Sequence, residues 1–202
     1  MNKLKIMNIQ IFNQHRVLCT VLLPIVLCFC SCQVSVRHES GNKTADHLET
    51  VLNSADKIRN QIQWEGAGGL QVVAAFLMSE EGALIDNSNL IEPGSRIQLI
   101  LRLSGWVLVD NKVQVGVGQQ LTNSNGKLLT RNNDIFEGSG PVSGEDAKVF
   151  TLSMEVLNTT TIYPYYKADF KIWNKNASQY VRGSYQFRLN KNYLIFSITG
   201  VR

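Results

Sequence analysis

Residues 96–103 read RIQLILRL, and their period is two: Ile97, Leu99, Leu101 and Leu103 fall on one side of an extended chain and Gln98 and Arg102 on the other. Alternation of this kind predicts a strand with one face in a core. The next periodic stretch, KVQVGVGQQL at 112–121, sets Val113, Val115 and Val117 against Gln114, Gly116 and Gly118 in the same way. Upstream, LQVVAAFLM (70–78) is apolar almost throughout, as a central strand is, and EEG at 80–82 turns it. Downstream, strands are expected around VFTLSMEVL (149–157), YYKADFKIW (165–173), SYQFRL (184–189) and YLIFSIT (193–199). NSNGK at 123–127 predicts a hairpin whose Asn125-Gly126 pair supplies the positive φ angles of a tight primed turn, and EGSGPVSGED (137–146) has a loop composition. About seven to nine short strands with no βαβ alternation predict a mainly β fold, a two-sheet antiparallel sandwich.

One helix is expected ahead of the strands. Leu48, Val51, Leu52, Ala55, Ile58 and Ile62 follow steps of three and four, with Glu49, Asp56, Lys57 and Arg59 on other faces. Thr44 suits an N-cap with Asp46 in the first turn, and Gly66-Ala67-Gly68-Gly69 suits a stop, so the helix is assigned to 44–63 and the sandwich to 70–199. The polar face mixes charge signs, which predicts packing against a sheet and not a basic membrane-surface helix. From Tyr165 to Leu189 a strand ending in Trp-Asn-Lys is followed by an outgoing Gly-x-Tyr-x-Phe-x-Leu, which resembles the closing hairpin of immunoglobulin-like secreted modules. That resemblance implies an immunoglobulin-like sandwich and nothing about activity.

The N-terminal stretch carries an address. Lys3, Lys5 and Arg16 precede an apolar run from Val17 to Phe29, interrupted only by Thr20, with Pro24 within it. A basic region, a short apolar region and a small residue before a cut make a secretory signal peptide, and the run is shorter than the roughly 20 residues of a membrane span. Phe29-Cys30-Ser31-Cys32 resembles a bacterial lipobox, in which the cysteine after a small residue is acylated and becomes the mature N-terminus. Cys28 follows Leu27 and Cys30 follows Phe29, so the resemblance implies lipid on Cys32. It departs from the usual pattern in having Phe29 three places before the cysteine, and Met7 is an alternative start to Met1. Gln33 in place of Asp, and QVSVRHE without an acidic run, imply outer-membrane sorting and a periplasmic face. The chain is therefore divided into a signal peptide (1–31), a lipid-anchored polar tether (32–43) and one domain (44–202).

All four cysteines, at 19, 28, 30 and 32, lie in or beside the signal, which leaves neither a zinc ligand set nor a disulfide framework. Removing 31 of the 202 residues leaves 171, and removing Lys3, Lys5 and Arg16 leaves 17 Lys+Arg against 16 Asp+Glu. A net charge near +1 gives no support for nucleic-acid binding, which needs a concentrated basic face.

Catalytic material is sparse. There is no G-x-S-x-G and no H-E-x-x-H; His38 and His47 lie upstream of the strands, and Glu145 and Asp146 are neighbours, not a pair across a cleft. DNSN (86–89) and NND (132–134) offer oxygen ligands, but too few carboxylates for calcium, and read as Asx turns. No catalytic residue, metal or cofactor is assigned. The stretch with binding potential is IYPYYKADFKIWNKNASQY (162–180): with Tyr166, Ala168, Phe170 and Ile172 inward, Tyr163, Tyr165, Lys167, Asp169, Lys171 and Trp173 share the outer face. Three aromatics among alternating charges can stack sugar rings or dock a protein. The expectation is a lipid-anchored cell-envelope lipoprotein acting as a non-catalytic binding or scaffold module with an envelope protein partner. Glycan binding through Tyr163, Tyr165 and Trp173 is the alternative, and a small lipoprotein hydrolase the third.

Overall fold

A computed structural model describes residues 34–36, 42–155 and 162–190. The signal peptide, Cys32 and the expected strand at 193–199 lie outside these residues. In chain order the elements are β1 (Val34–Val36), α1 (Asn42–Asn53), β2 (Gln63–Ala67), β3 (Gln71–Ser79), β4 (Leu90–Ile91), β5 (Arg96–Ser104), β6 (Lys112–Val113), β7 (Val115–Asn123), β8 (Leu128–Asn132), β9 (Val142–Ser143), a 3-10 turn (Asp146–Lys148), β10 (Val149–Glu155), β11 (Tyr166–Asn174) and β12 (Tyr180–Leu189).

Two sheets face each other. The first has the order β1-β10-β5-β3 and the second β2-β12-β11-β7-β8, all antiparallel, with β4 pairing parallel to β12. The chain crosses from β5 to β7, returns from β8 to β10, and crosses again from β10 to β11, so β3, β5 and β10 hold the A, B and E positions of an immunoglobulin-like sandwich and β7, β8, β11 and β12 the C, C′, F and G positions. The period-two residues meet between the sheets: Leu99, Leu101 and Leu152 from one side and Val117, Phe170, Ile172, Val181 and Phe187 from the other, all buried. Phe187 stacks on Tyr166 with ring centroids 5.4 Å apart. Burial pushes the Tyr185 hydroxyl well above its ordinary pKa, so it stays neutral within this layer.

The apolar β3 is explained by a third layer. Its Ala75 and Leu77 face the second sheet, while Ala74, Phe76 and Met78 join Ile100 beneath Leu48 and Val51 of α1. Although β3 reads as a central strand, it stands at the end of its sheet. Its free edge is covered by neighbouring backbone instead: Arg59 N donates to Ala75 O at 2.9 Å, Ala75 N to Lys57 O at 2.9 Å and Ile85 N to Leu77 O at 3.0 Å. Unpaired edge groups are thereby closed off. His47 Nε2 donates to Gly82 O and Lys43 Nζ to Glu81 O, each at 2.8 Å, which pins α1 to the turn after β3.

Several expectations are corrected. The helix assigned to 44–63 covers Asn42–Asn53 only, because Ser54 bonds back to Val51 O and the chain then runs extended along β3. Ile58 and Ile62 continue the helical spacing but lie on either side of a tight turn in which Asn60 and Gln61 both have positive φ (59° and 54°). Half of the assumed breaker is strand: Gly66 and Ala67 pair with β12 while Gly68 and Gly69 form a turn with positive φ (67° and 85°), so the sandwich begins at Gln63 and not at 70. Part of the assigned tether is also strand, since Val34 to Val36 pair with Met154 to Leu152. The hairpin at 123–127 is not primed. Only Gly126 takes a positive φ (76°), because Asn123 Oδ1 accepts from both Asn125 N and Lys127 N and so sets a wider loop. The tight primed turn falls at Asp110-Asn111 (φ 52° and 57°), closed by reciprocal bonds between Val109 and Lys112. The loop at 137–146 contains β9, which pairs with β6. No helix among the described residues is long and apolar enough to cross a membrane.

The fully buried Asn60 joins the sheets at one end. Its Nδ2 donates to Ile85 O (3.1 Å), Asp86 O (2.9 Å) and Asn89 Oδ1 (2.9 Å), and its Oδ1 accepts from Leu77 N at 2.8 Å. Asn89 Nδ2 in turn donates to Asn60 O and to Gln186 O of β12, each at 2.7 Å. Replacing Asn60 by Ala removes its four side-chain bonds and keeps a left-handed backbone that alanine resists. At about 1 kcal/mol per bond and 1–2 kcal/mol for the backbone, urea denaturation should register a loss of roughly 5–6 kcal/mol, against about 0.5 kcal/mol or less for Lys127→Ala in the exposed hairpin.

Candidate functional site

The two sheets end differently on their outer sides. That of the first sheet is covered by α1, whereas that of the second carries polar and aromatic side chains around an open trough of about 830 Å³. Alternation puts Lys167, Asp169, Lys171 and Trp173 of β11 on this side because Tyr166, Ala168, Phe170 and Ile172 are buried. The strand register then brings specific neighbours beside them. Trp173 lies opposite Gly116 of β7 and Tyr180 of β12, Lys171 opposite Gly118 and Arg182, and Asp169 opposite Gln120 and Ser184.

At one end of the trough the Trp173 indole rests on Gly116, where any Cβ would overlap Cε2 and Cζ2 of the ring. Lys171 Nζ lies 5.4 Å from the Trp173 ring centroid and 5.5 Å from that of Tyr180, and the Arg182 guanidinium lies 5.8 Å from Tyr180. Alternating cations and rings at these distances attract through the ring quadrupole. Arg182 also bonds Glu65 of β2, whose carboxylate holds the guanidinium pKa above its ordinary value. At the other end a chain of polar groups crosses three strands: Arg131 Nε and Nη2 donate to Gln120 Oε1 at 3.1 and 2.8 Å, Gln120 Nε2 donates to Asp169 Oδ2 at 3.1 Å, and Lys167 pairs with Asp169 Oδ1 at 2.8 Å.

Four cations and two carboxylates therefore line this face, and both carboxylates are engaged by Arg182 and by Lys167. Lys171 has no carboxylate partner among the described residues, so the face carries a net positive charge beside two aromatic rings. Among the described residues no cluster of His, Cys, Asp and Glu could hold a metal ion.

The three aromatics singled out in the sequence are not brought together. Trp173 is in the trough, half-buried. Tyr165 precedes β11 and lies about 26 Å away along the strand direction, at a rise of about 3.3 Å per residue. Tyr163 turns inward, packing edge-on against Tyr166 with ring centroids 5.8 Å apart, because the alternation begins only at Tyr166 and does not extend back through Pro164. Tyr180 was missed: it belongs to the next strand, and only the length of the 175–179 turn places it opposite Trp173.

The other candidates settle into structural roles. Asp86 Oδ1 accepts from Ser88 N at 2.7 Å, an Asx turn, and hydrogen bonds from Ser88 lower its pKa. Asp134 Oδ1 accepts from Val117 N and Phe136 N, while its Oδ2 pairs with Lys175 at 2.6 Å. Glu145 pairs with Lys148 and Asp146 accepts from Ser143 Oγ. His47 anchors α1, and His38 lies outside the described residues. In comparisons with known proteins, the chain matches no protein-family model and no curated protein sequence.

Gly116→Val should lift the indole off the sheet. In a Trp64→Phe/Trp106→Phe background, Trp173 emission should move to the red and acrylamide quenching should rise; an unchanged spectrum would mean that the ring does not rest on Gly116.

Proposed function

We propose that this chain is a lipid-anchored cell-envelope lipoprotein, attached through Cys32 and acting as a non-catalytic binding module whose ligand sits on the outer face of the second sheet. The observation that carries the reading is the asymmetry of the sandwich: on one outer face α1 covers Ala74, Phe76, Met78 and Ile100, and the other holds an open trough lined by Trp173, Lys171 and paired polar groups. An aromatic ring with one face on a backbone and hydrogen-bonding groups beside it suits a sugar, whose C–H face stacks and whose hydroxyls need both donors and acceptors. The glycan reading is thus kept with Trp173 and Tyr180 in place of Tyr163 and Tyr165.

The lipid anchor rests on the lipobox resemblance and is compatible with the position of β1. That strand starts two residues after Cys32 and lies against the Glu155 end of β10, opposite Arg96 of β5. A lipid on Cys32 would hold this end at the membrane, while the loop after Ser104 stands roughly 30 Å away, at about 3.3 Å per strand residue. Two or three acyl chains, at about 0.8 kcal/mol per buried CH2, make such attachment lasting where one chain does not. Outer-membrane sorting with a periplasmic face belongs to the same proposal.

A second reading, a scaffold that docks an envelope protein, is favoured by the loop after Ser104. Val107 and Val109 are 53% and 65% exposed on it, next to Leu108 at 39%. The loop is held rigid: Val107 N donates to Gln179 Oε1 at 2.7 Å, and Asn174 Nδ2 donates to Val107 O at 3.0 Å. Adjacent exposed apolar residues on a fixed loop are what a protein interface uses.

Mass spectrometry of the membrane-extracted protein should find acylated Cys32 at the N-terminus, and Cys32→Ala should release the protein from membranes; an acylated Cys32→Ala protein would refute the assigned anchor. Glycan arrays and pull-downs from solubilised envelopes separate the two binding readings. Trp173→Ala should abolish glycan retention and spare protein capture, Val109→Asp should do the reverse, and retention of neither class by the wild type would remove the binding module altogether.

A further inference from the structure

The ligand class of the trough can be narrowed by charge. Lys171 is the cation to consider, since Arg182 is neutralised by Glu65, Lys167 by Asp169, and Arg131 is oriented by Gln120 toward the same floor. The Lys171 ammonium is held between the Trp173 and Tyr180 rings, at 5.4 and 5.5 Å from their centroids, with no acid to satisfy it among the described residues. Gly118, directly opposite Lys171, admits the Asn132–Asn133 backbone, whose Asn133 O would lie 2.8 Å from a Cβ there, and this backbone lines the trough beside Lys171 and Arg131. A ligand lying across β12, β11, β7 and β8 would therefore meet an aromatic face, an unneutralised ammonium and a guanidinium in succession, over about 14 Å at an inter-strand spacing of about 4.8 Å.

We infer that the trough binds an acidic saccharide chain, with a sugar ring stacked on Trp173 and its carboxylate or other anionic group paired with Lys171 and Arg131. This rests on the binding-module reading above and names the ligand of that site. Two features favour a saccharide over an acidic peptide or a nucleic acid. Asp169 and Glu65 stand in the same trough as acceptors, and the hydroxyl donors of a sugar chain can meet them, whereas a chain of phosphates or side-chain carboxylates offers them none. The flat indole suits a ring's C–H face, and the mixture of donors (Lys171, Arg131) and acceptors (Asp169, Glu65) suits hydroxyl groups in a way that a purely basic face does not.

The probe is a defined oligogalacturonate, titrated calorimetrically into the wild-type protein beside a neutral cello-oligosaccharide of equal length and a poly-glutamate peptide. Oligogalacturonate should bind at least about tenfold more tightly than either, and its binding should weaken as salt rises. Lys171→Gln should lose about tenfold for the oligogalacturonate and clearly less for any neutral sugar, while Trp173→Ala should lose binding of both sugars; thermal melts on each variant confirm that it is folded. Equal binding of both sugars, or an unchanged affinity in folded Lys171→Gln, would overturn the acidic-saccharide assignment while the module reading stands. Poly-glutamate binding as tightly as the oligogalacturonate would overturn it in favour of charge alone. Absence of oligogalacturonate binding together with retention of a protein on the same face would overturn the ligand class and leave the module in place, whereas an inert face toward every glycan and envelope protein would remove both.

Discussion

Four buried carboxamides, Asn60 and Asn89 at one end of the sandwich and Asn174 and Gln179 at the other, hold the two sheets in one relation. The apolar layer between the sheets drives their association but is non-directional, so it fixes neither their offset nor the path of the chain between them. The carboxamides are directional. Asn60 takes Leu77 N of the first sheet while Asn89 reaches Gln186 O of the second, and at the far end Gln179 Nε2 donates to Gly68 O (2.7 Å) and Gly105 O (2.8 Å) while its Oε1 accepts from Val107 N. These groups are buried, but most of their donors and acceptors are used, so the desolvation cost is offset and the geometry is specified. The edge of β3, the exposed apolar loop and the turn that sets Tyr180 beside Trp173 all depend on them.

That dependence explains what the sequence could reveal. The period-two stretches carry their own signal, since each inward residue in Ile97–Leu103 and Tyr166–Ile172 is buried against the opposite sheet whatever the connections do. The segment after α1 carries a misleading one. Ile58 and Ile62 keep the helical spacing because each is wanted on the interior, while the reversal at Asn60-Gln61 is stabilised by partners at Leu77, Ile85, Asp86 and Asn89 that no local pattern reports. β1 escapes for the same reason: three residues have too little periodicity of their own, and their pairing lies with β10.

The candidate site divides along the same line. Which side chains of β11 point outward follows from alternation, and so Lys171 and Trp173 were legible. Which side chains stand beside them is a matter of register, set by the hairpin at 175–179 and by the long crossover to β7, and so Tyr180, Gly116 and Gly118 were not. Tyr163 failed for a third reason: alternation was extended past Pro164, whose fixed φ and missing donor end a strand pattern.

Glycine on the outer side of β7 is the feature that gives the face its meaning. Gly116 and Gly118 occupy a central strand of the second sheet, where glycine weakens pairing and contributes no side chain. The inner side of the same strand compensates with Val115, Val117 and Leu121, while outside a side chain at either glycine would collide with the Trp173 ring or the Asn133 carbonyl. Gly116 makes room for the indole, and Gly118 for the Asn132–Asn133 backbone, whose Asn133 O would lie 2.8 Å from a Cβ there. The first sheet, in contrast, fills its outer side with Ala74, Phe76, Met78 and Ile100 and covers them with a helix. A fold that covers one face with apolar volume and on the other uses two outward glycines to seat an indole and a backbone segment beside an open trough has separated the surface that stabilises it from the surface that can receive a ligand.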